Sequence, residues 1–177
     1  MNIVGHLKTV LYHKYLVMQR CFRVGLYVQG VIHDLSKFSP TEFWVGAKYY
    51  QGDRSPNNAE REDIGYSSAW LHHKGRNKHH FEYWIDYSAV DIKGGMSPSP
   101  MPIRYVIEMF MDRVAASKVY EKENYTDAKP LEYFMKGKGY GMHPKTKKQL
   151  LVLLRMLARE GEEKTFDYIK YIILRRR

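Results

Sequence analysis

The segment GVIHDLSKFSP, residues 30–40, sets His33 and Asp34 side by side directly after an apolar run. Adjacent residues on a helix point about 100° apart, so periodicity alone does not bring such a pair onto one face. The pair makes chemical sense if both side chains must reach one small object, and a metal ion is the natural candidate. The chain has eight histidines, and all but His143 lie within its first 80 residues. His13 sits in the middle of an apolar-periodic segment, with His6 two turns earlier on nearly the same face. His72 and His73 close one helical stretch, and His79 and His80 open the next. Asp112 interrupts the apolar run YVIEMFMDRVAAS, where a carboxylate needs a partner because burying it alone is costly. A cation is one such partner, and a surface contact with Arg113 or Arg104 is the other. Glu108 precedes Asp112 by one turn and can share its face. Neutral imidazole suits zinc, iron, nickel and manganese, while carboxylates suit harder ions. The set therefore reads as ligands for a divalent ion, with Mn, Fe, Zn, Ni, Co and Mg as candidates.

These residues need helices to position them. Apolar positions Ile3, Val4, Leu7, Val10, Leu11, Leu16 and Val17 predict a helix over 3–20, and a second runs from 22 towards 32. SPTEF predicts the next start, with Ser39 as N-cap, Pro40 in the first turn and Glu42 reaching back to the cap. Residues 51–58 read as a loop, and a fourth helix is expected over 59–73. A short helix restarts near His79. Residues 87–102, with GGMSPSPMP, form the longest irregular stretch and suit a surface segment or a lid. Pro102 starts a strong helix. His143 reads as a helix-start residue for the helix at 145–160, with Gly161 as its C-cap. A last helix ends in three arginines, which suit the negative end of a helix dipole. No set of alternating strands is visible. The expectation is an all-α, single-domain helical bundle over 1–177, with the metal-site core at about 6–115 and the helices of 131–177 completing the bundle.

The bulk properties narrow the class. A chain of 177 residues suits one core. Cys21 is the single cysteine, which excludes an intramolecular disulfide and reads as a buried thiol in a reducing, cytoplasmic setting. No stretch approaches ~20 apolar residues, so no membrane partner is expected. The N-terminal stretch MNIVGHLKTV does not read as a signal peptide. The net charge of +10 fits an anionic partner such as a phosphorylated small molecule or nucleic acid; a solvated basic surface explains it equally well.

The order His13, His33-Asp34, His73, His79/His80, Asp112 resembles the HD-domain superfamily of metal-dependent phosphohydrolases, whose signature is H…HD…H…H…D on a helical bundle. HKYLV resembles the family's first histidine segment, IHDLSKF its HD step at a helix end, and LHHKGRNKHHFEYW the extra histidines of its two-metal subgroup. The chain also resembles a bacterial HD-like branch of uncharacterised activity that carries HDLSKFSP and NKHH. The likeness covers about residues 6–115. It implies that His13, His33, Asp34 and Asp112 hold a first metal, that Asp34 bridges to a second, and that His73 and His80 serve the second. His72 and His79 can take those places instead.

The implied activity is hydrolysis of a nucleotide or other small phosphoester by metal-activated water. Lys37, three residues after Asp34, can neutralise a phosphate, as can Lys74, Arg76 and Lys78. Glu82 can orient a ligand histidine or act as general base. Tyr49, Trp70, Tyr83 and Trp84 are available to stack a nucleobase. Two rival readings remain: a di-iron oxygenase-type enzyme on the same ligand set, and a non-enzymatic basic module that binds nucleic acid. No helix-turn-helix or zinc-finger spacing supports the last.

Overall fold

The computed structural model describes residues 1–88, 95–137 and 139–175. Helix α1, Ile3–Arg23, is capped by Asn2, whose side chain accepts the Gly5 amide at 2.8 Å. It buries Val10, His13, Leu16, Val17 and Cys21 along one stripe. Gly25, at φ 81°, turns the chain into the short helix α2, Tyr27–Ile32, which packs back on α1. A 3-10 turn over Leu35–Phe38 follows, and then α3, Pro40–Lys48, is capped by the Ser39 hydroxyl.

Two helices stand where one was expected at 59–73. Helix α4, Pro56–Ile64, stops at Gly65, whose φ of 84° is the left-handed ending that glycine adopts without strain. Helix α5, Ser68–Lys74, restarts from Ser67, whose hydroxyl accepts the Trp70 amide. Buried Glu60 ties the two together by accepting hydrogen bonds from Ser67 (2.5 Å) and Ser68 (2.6 Å). The expected short helix near His79 is a 3-10 turn, Phe81–Trp84. An antiparallel pair follows that the sequence did not announce: β1, Ile85–Tyr87, with β2, Met96–Pro98, Asp86 opposite Ser97. Strands of three residues are too short to show alternation. The expected lid at 87–102 falls partly on residues 89–94, which lie outside the described residues.

Helix α6, Ile103–Glu121, is the central element. It packs on α1 at one side and on α8, Pro144–Asp167, at another, and α7, Lys129–Gly137, closes against both α6 and α8. The apolar core gathers Val17, Cys21, Val106, Ile107, Phe110, Val114, Leu150, Leu154, Leu157, Phe166 and Ile169, all buried. His143 caps α8 by accepting the Lys145 amide. Gly161 does not end that helix. It takes φ 82° and ψ 174° as a kink, after which the helical path resumes and runs into a π-helical turn, Tyr168–Ile173. The resumption keeps Phe166 and Ile169 in the core. Of the terminal arginines, Arg176 and Arg177 lie outside the described residues.

The protein is thus mostly helical, with a two-stranded sheet as its described β structure. Among the described residues no helix is long and apolar enough to cross a membrane.

Candidate metal centre

Neither residue of the His33-Asp34 pair is in a helix. His33 ends α2 with extended backbone (φ −49°, ψ 127°), and Asp34 takes a left-handed conformation (φ 55°, ψ 24°). Aspartate tolerates that region better than most residues, and a strained turn at such a point is a mark of function. The turn swings both side chains to the same point, which a continuous helix does not allow. Lys14 holds it there. Its ammonium donates to the carbonyls of Val31 (2.6 Å) and His33 (2.7 Å), satisfying the exposed end of α2.

Around this turn the fold brings together all seven expected ligands in two overlapping sets: His13, His33, Asp34 and Asp112; and Asp34, His73, His79 and His80. Within each set the donor atoms lie within 4.8 Å of one another. Asp34 divides its oxygens between them. Oδ2 lies 3.4 Å from His33 Nε2 and 3.7 Å from His13 Nε2, while Oδ1 lies 3.3 Å from the Nε2 atoms of both His73 and His79. Asp112 Oδ1 completes the first set at 3.0 Å from His13 Nε2 and 3.7 Å from His33 Nε2. Helix α1 supplies His13, the turn His33 and Asp34, α5 His73, the following loop His79 and His80, and α6 Asp112.

The pairs left open by sequence are resolved. His73 points inward, whereas the His72 ring meets Glu42 Oε1 at 2.6 Å. Both His79 and His80 belong to the second set.

Carboxylates behind the imidazoles fix their orientation. Glu108 Oε1 accepts from Nδ1 of His33 (3.0 Å) and of His79 (3.1 Å), so one side chain on α6 serves both sets. Glu42 Oε2 accepts from His73 Nδ1 at 2.7 Å. A proton held on Nδ1 leaves the Nε2 lone pair free, as a metal-binding histidine requires. Asn77 adds a brace by donating to Ser36 Oγ (2.7 Å) and to the His73 carbonyl (2.8 Å).

Sequence reasoning missed the role of Glu42. Its backbone amide does meet the Ser39 cap, but its carboxylate turns to His72 and His73 instead of reaching back, and nothing local signals a partner 30 residues away. Glu108 was legible as a neighbour of Asp112, not as the anchor of two histidines. The orienting role considered for Glu82 belongs to these two residues; among the described residues Glu82 forms no hydrogen bond with an imidazole. The helix-surface contact considered for Asp112 gives way to His13 and His33.

The donor set fits a cation. Buried polar atoms normally have hydrogen-bond partners. Here six form no hydrogen bond: Nε2 of His13, His33, His79 and His80, and both oxygens of Asp34, of which Oδ2 is in ion-pair contact with the Lys37 ammonium. Burial opposes charge throughout, yet neighbouring groups outweigh it at several positions. Against burial, the neighbouring His33, Lys37 and His73 side chains hold the Asp34 carboxyl well below the usual carboxylate range. Burial opposes protonation of His79, but the carboxylates of Asp34 and Glu108 beside it lift it to about 10. Burial, then repulsion from His79 and His73, drives His80 the other way. Four imidazoles and a carboxylate with inward atoms unsatisfied suit a transition ion better than magnesium, which prefers an all-oxygen shell.

The centre opens onto a cavity of about 500 Å³. Lys37 lines it, with its ammonium 2.8 Å from Asp34 Oδ2. Glu82 lines it too, its carboxyl pushed up by burial. His6 stands on the α1 wall, held neutral at about 4 by burial and by the charge of Lys37. Its ring lies so close to α3 that a Cβ on Gly46 would stand 2.3 Å from it. Lys74, Arg76 and Lys78 do not line the cavity, and of the four aromatics considered only Trp70 does. Cys21 is fully buried, away from the cavity lining.

Fold and chemistry together define a helical protein with a buried histidine–carboxylate centre at the wall of a small-molecule-sized cavity. The chain belongs to the family of unknown function DUF5662, whose family model matches residues 2–156. That match runs beyond the metal-site core into α8. Nothing matches among curated proteins or among solved structures.

Proposed function

We propose that the protein is a metal-dependent phosphohydrolase of the HD-domain type, acting on a nucleotide or another small phosphoester. The observation that carries this reading is the division of Asp34 between two ligand sets. A carboxylate with one oxygen facing each set is built to bridge two ions. The first ion would be held by His13, His33, Asp34 and Asp112, and the second by Asp34, His73, His79 and His80.

When bound, such ions lower the pKa of water and polarise a phosphoryl oxygen. The chain supplies the rest. Lys37 places a positive charge between the centre and the cavity, where it offsets charge on an entering phosphate. Glu82 has a carboxyl whose raised pKa brings it nearer the range useful for moving a proton at the leaving group. Neutral His6 offers a hydrogen bond from the opposite wall. The cavity size favours a small molecule over a polymer.

Elemental analysis of protein purified without chelator or histidine tag is the first test, beside a His33→Ala/Asp34→Ala variant. One or two equivalents of Mn, Fe, Zn, Ni or Co, lost in the variant, support the site and lead to a phosphoester screen. Paired iron with oxygen-dependent redox behaviour moves the reading to oxygen chemistry, which the imidazole-rich ligand set also accommodates. No metal after reconstitution overturns both, and leaves nucleic-acid binding to be tested through its salt dependence.

A further inference from the structure

Four basic side chains line the cavity: Lys37, Arg54, Arg113 and Lys129. Three are committed. Lys37 pairs with Asp34 at 2.8 Å, Arg54 with Glu62 at 2.8 Å, and Lys129 with Glu121 at 3.5 Å. Arg113 forms no ion pair and no hydrogen bond among the described residues, and its Nε is buried without a partner. Its guanidinium lies 5.2 Å from the centre of the Phe134 ring, a contact that steadies the group without neutralising it. Asp112 and Glu82 are near enough to be felt electrostatically, but neither pairs with it, and Asp112 is engaged by His13 and His33.

A guanidinium keeps its charge at any ordinary pH, and that of Arg113 is half-buried at the cavity wall with its Nε shut off from solvent. A permanent cation at a cavity wall with no protein partner is placed to receive an anion from the cavity. The local design leaves room for it. The cavity face of α6 runs Met109, Asp112, Arg113, Ala116, Ser117 and Tyr120, at the three- and four-residue spacing of one helical stripe. Ala116 and Ser117 are small, so the stripe leaves space beside the guanidinium.

We infer that Arg113 is a specificity-determining residue that receives a second anionic group of the substrate, a carboxylate or a phosphate, while the scissile phosphoryl group lies at the metal centre. The substrate class is then a small phosphoester bearing two separate anionic groups. A planar guanidinium suits either group because both accept a paired hydrogen bond. This inference rests on the phosphohydrolase reading, but binding can test it apart from turnover.

Isothermal titration of the manganese-loaded protein compares phenylphosphonate with its 3- and 4-carboxy derivatives and with 1,4-phenylene bisphosphonate, none of which can be hydrolysed. The doubly anionic probes are expected to bind about tenfold more tightly than phenylphosphonate, as one charge-assisted pair warrants. Their ranking tells carboxylate from phosphate. Arg113→Met retains an apolar stem over Phe134, and is expected to erase the preference while leaving phenylphosphonate affinity within about twofold. Arg113→Ala serves as a second variant, and circular dichroism verifies that both fold. Equal affinity for all probes, or a preference that survives both substitutions, overturns the inference. The corresponding phosphate esters then report turnover. Preference without turnover sustains Arg113's role and sinks the hydrolase reading; turnover without preference does the reverse.

Discussion

The two sides of α6 are treated in opposite ways. On one side Val106, Ile107, Phe110 and Val114 disappear into α1 and α8, in contact with Leu150, Leu154 and Phe166. On the other, Glu108 and Asp112 meet imidazoles, and Arg113 faces open space. The first side gains from removing apolar surface from water, an effect that is non-directional and tolerant of detail. The second gathers charged groups whose inward atoms lack partners, which a fold sustains only if something else supplies the stability. One helix thus separates what holds the molecule together from what the molecule does.

If that separation is real, damage to either side leaves the other largely intact. The largest effect is expected at Asp34. Asp34→Asn keeps a residue that accepts the left-handed backbone but removes the shared charge. Metal content should fall from the parent value, and kcat/KM on any phosphoester substrate should fall by on the order of a thousandfold, with an unchanged far-ultraviolet spectrum. Phe110→Ala should do the converse. It removes a fully buried ring that meets Phe166 edge-on, and should cost about 3–5 kcal/mol in urea unfolding while metal bound per folded molecule stays constant.

Glu108→Gln sharpens the comparison, because Glu108 meets the Nδ1 atoms of His33 and His79 rather than the Nε2 atoms that face the two ligand sets. Metal affinity measured by chelator competition should fall by about 10–100-fold at both positions, since His33 and His79 lose the same anchor. Loss at one position alone would mean that Glu108 does not couple them.

Binding should also expel a proton. Asp34 and Glu108 lift His79 to about 10, which favours its protonated form at neutral pH, and it must be neutral to ligate. Affinity should therefore rise with pH below that value, by about tenfold per unit for each proton released. Titration in buffers of different ionisation enthalpy measures the number. The smallest effect tests the apolar side. Cys21 is buried, and burial raises its thiol pKa, so Ellman's reagent should label it in denaturant and leave it untouched in the native protein.

What could be read in advance follows from how local each signal is. Histidines and an aspartate inside apolar helical patterns stand out in a sequence, and the fold gathers His13, His33, Asp34, His73, His79, His80 and Asp112 around one point while His72 turns to Glu42. The helices themselves were visible through periodicity and through the Ser39 and His143 starts. Glu42 stayed hidden because its position fits a capping role, and its real partners come from α5. Arg113 was read as a neighbour for Asp112, because its lack of a partner is a property of the cavity and not of its helix. Gly161 carried a stop signal that the core overrode, since Phe166 and Ile169 beyond it need burial. The β1–β2 pair was too short for a period to show.

Gly46 acts as a gauge for the gap between α1 and α3. The only thing separating its backbone from the His6 ring is a hydrogen atom, and a single added methyl would have to displace that ring. Tyr50, two residues past the end of α3, lines the same wall and is hydrogen-bonded to Thr9 of α1 at 2.8 Å. A Gly46→Ala change would thus act as a wedge, reshaping the cavity wall without altering any of the seven residues of the candidate centre. The closeness of that wall is written into the chain as a missing side chain.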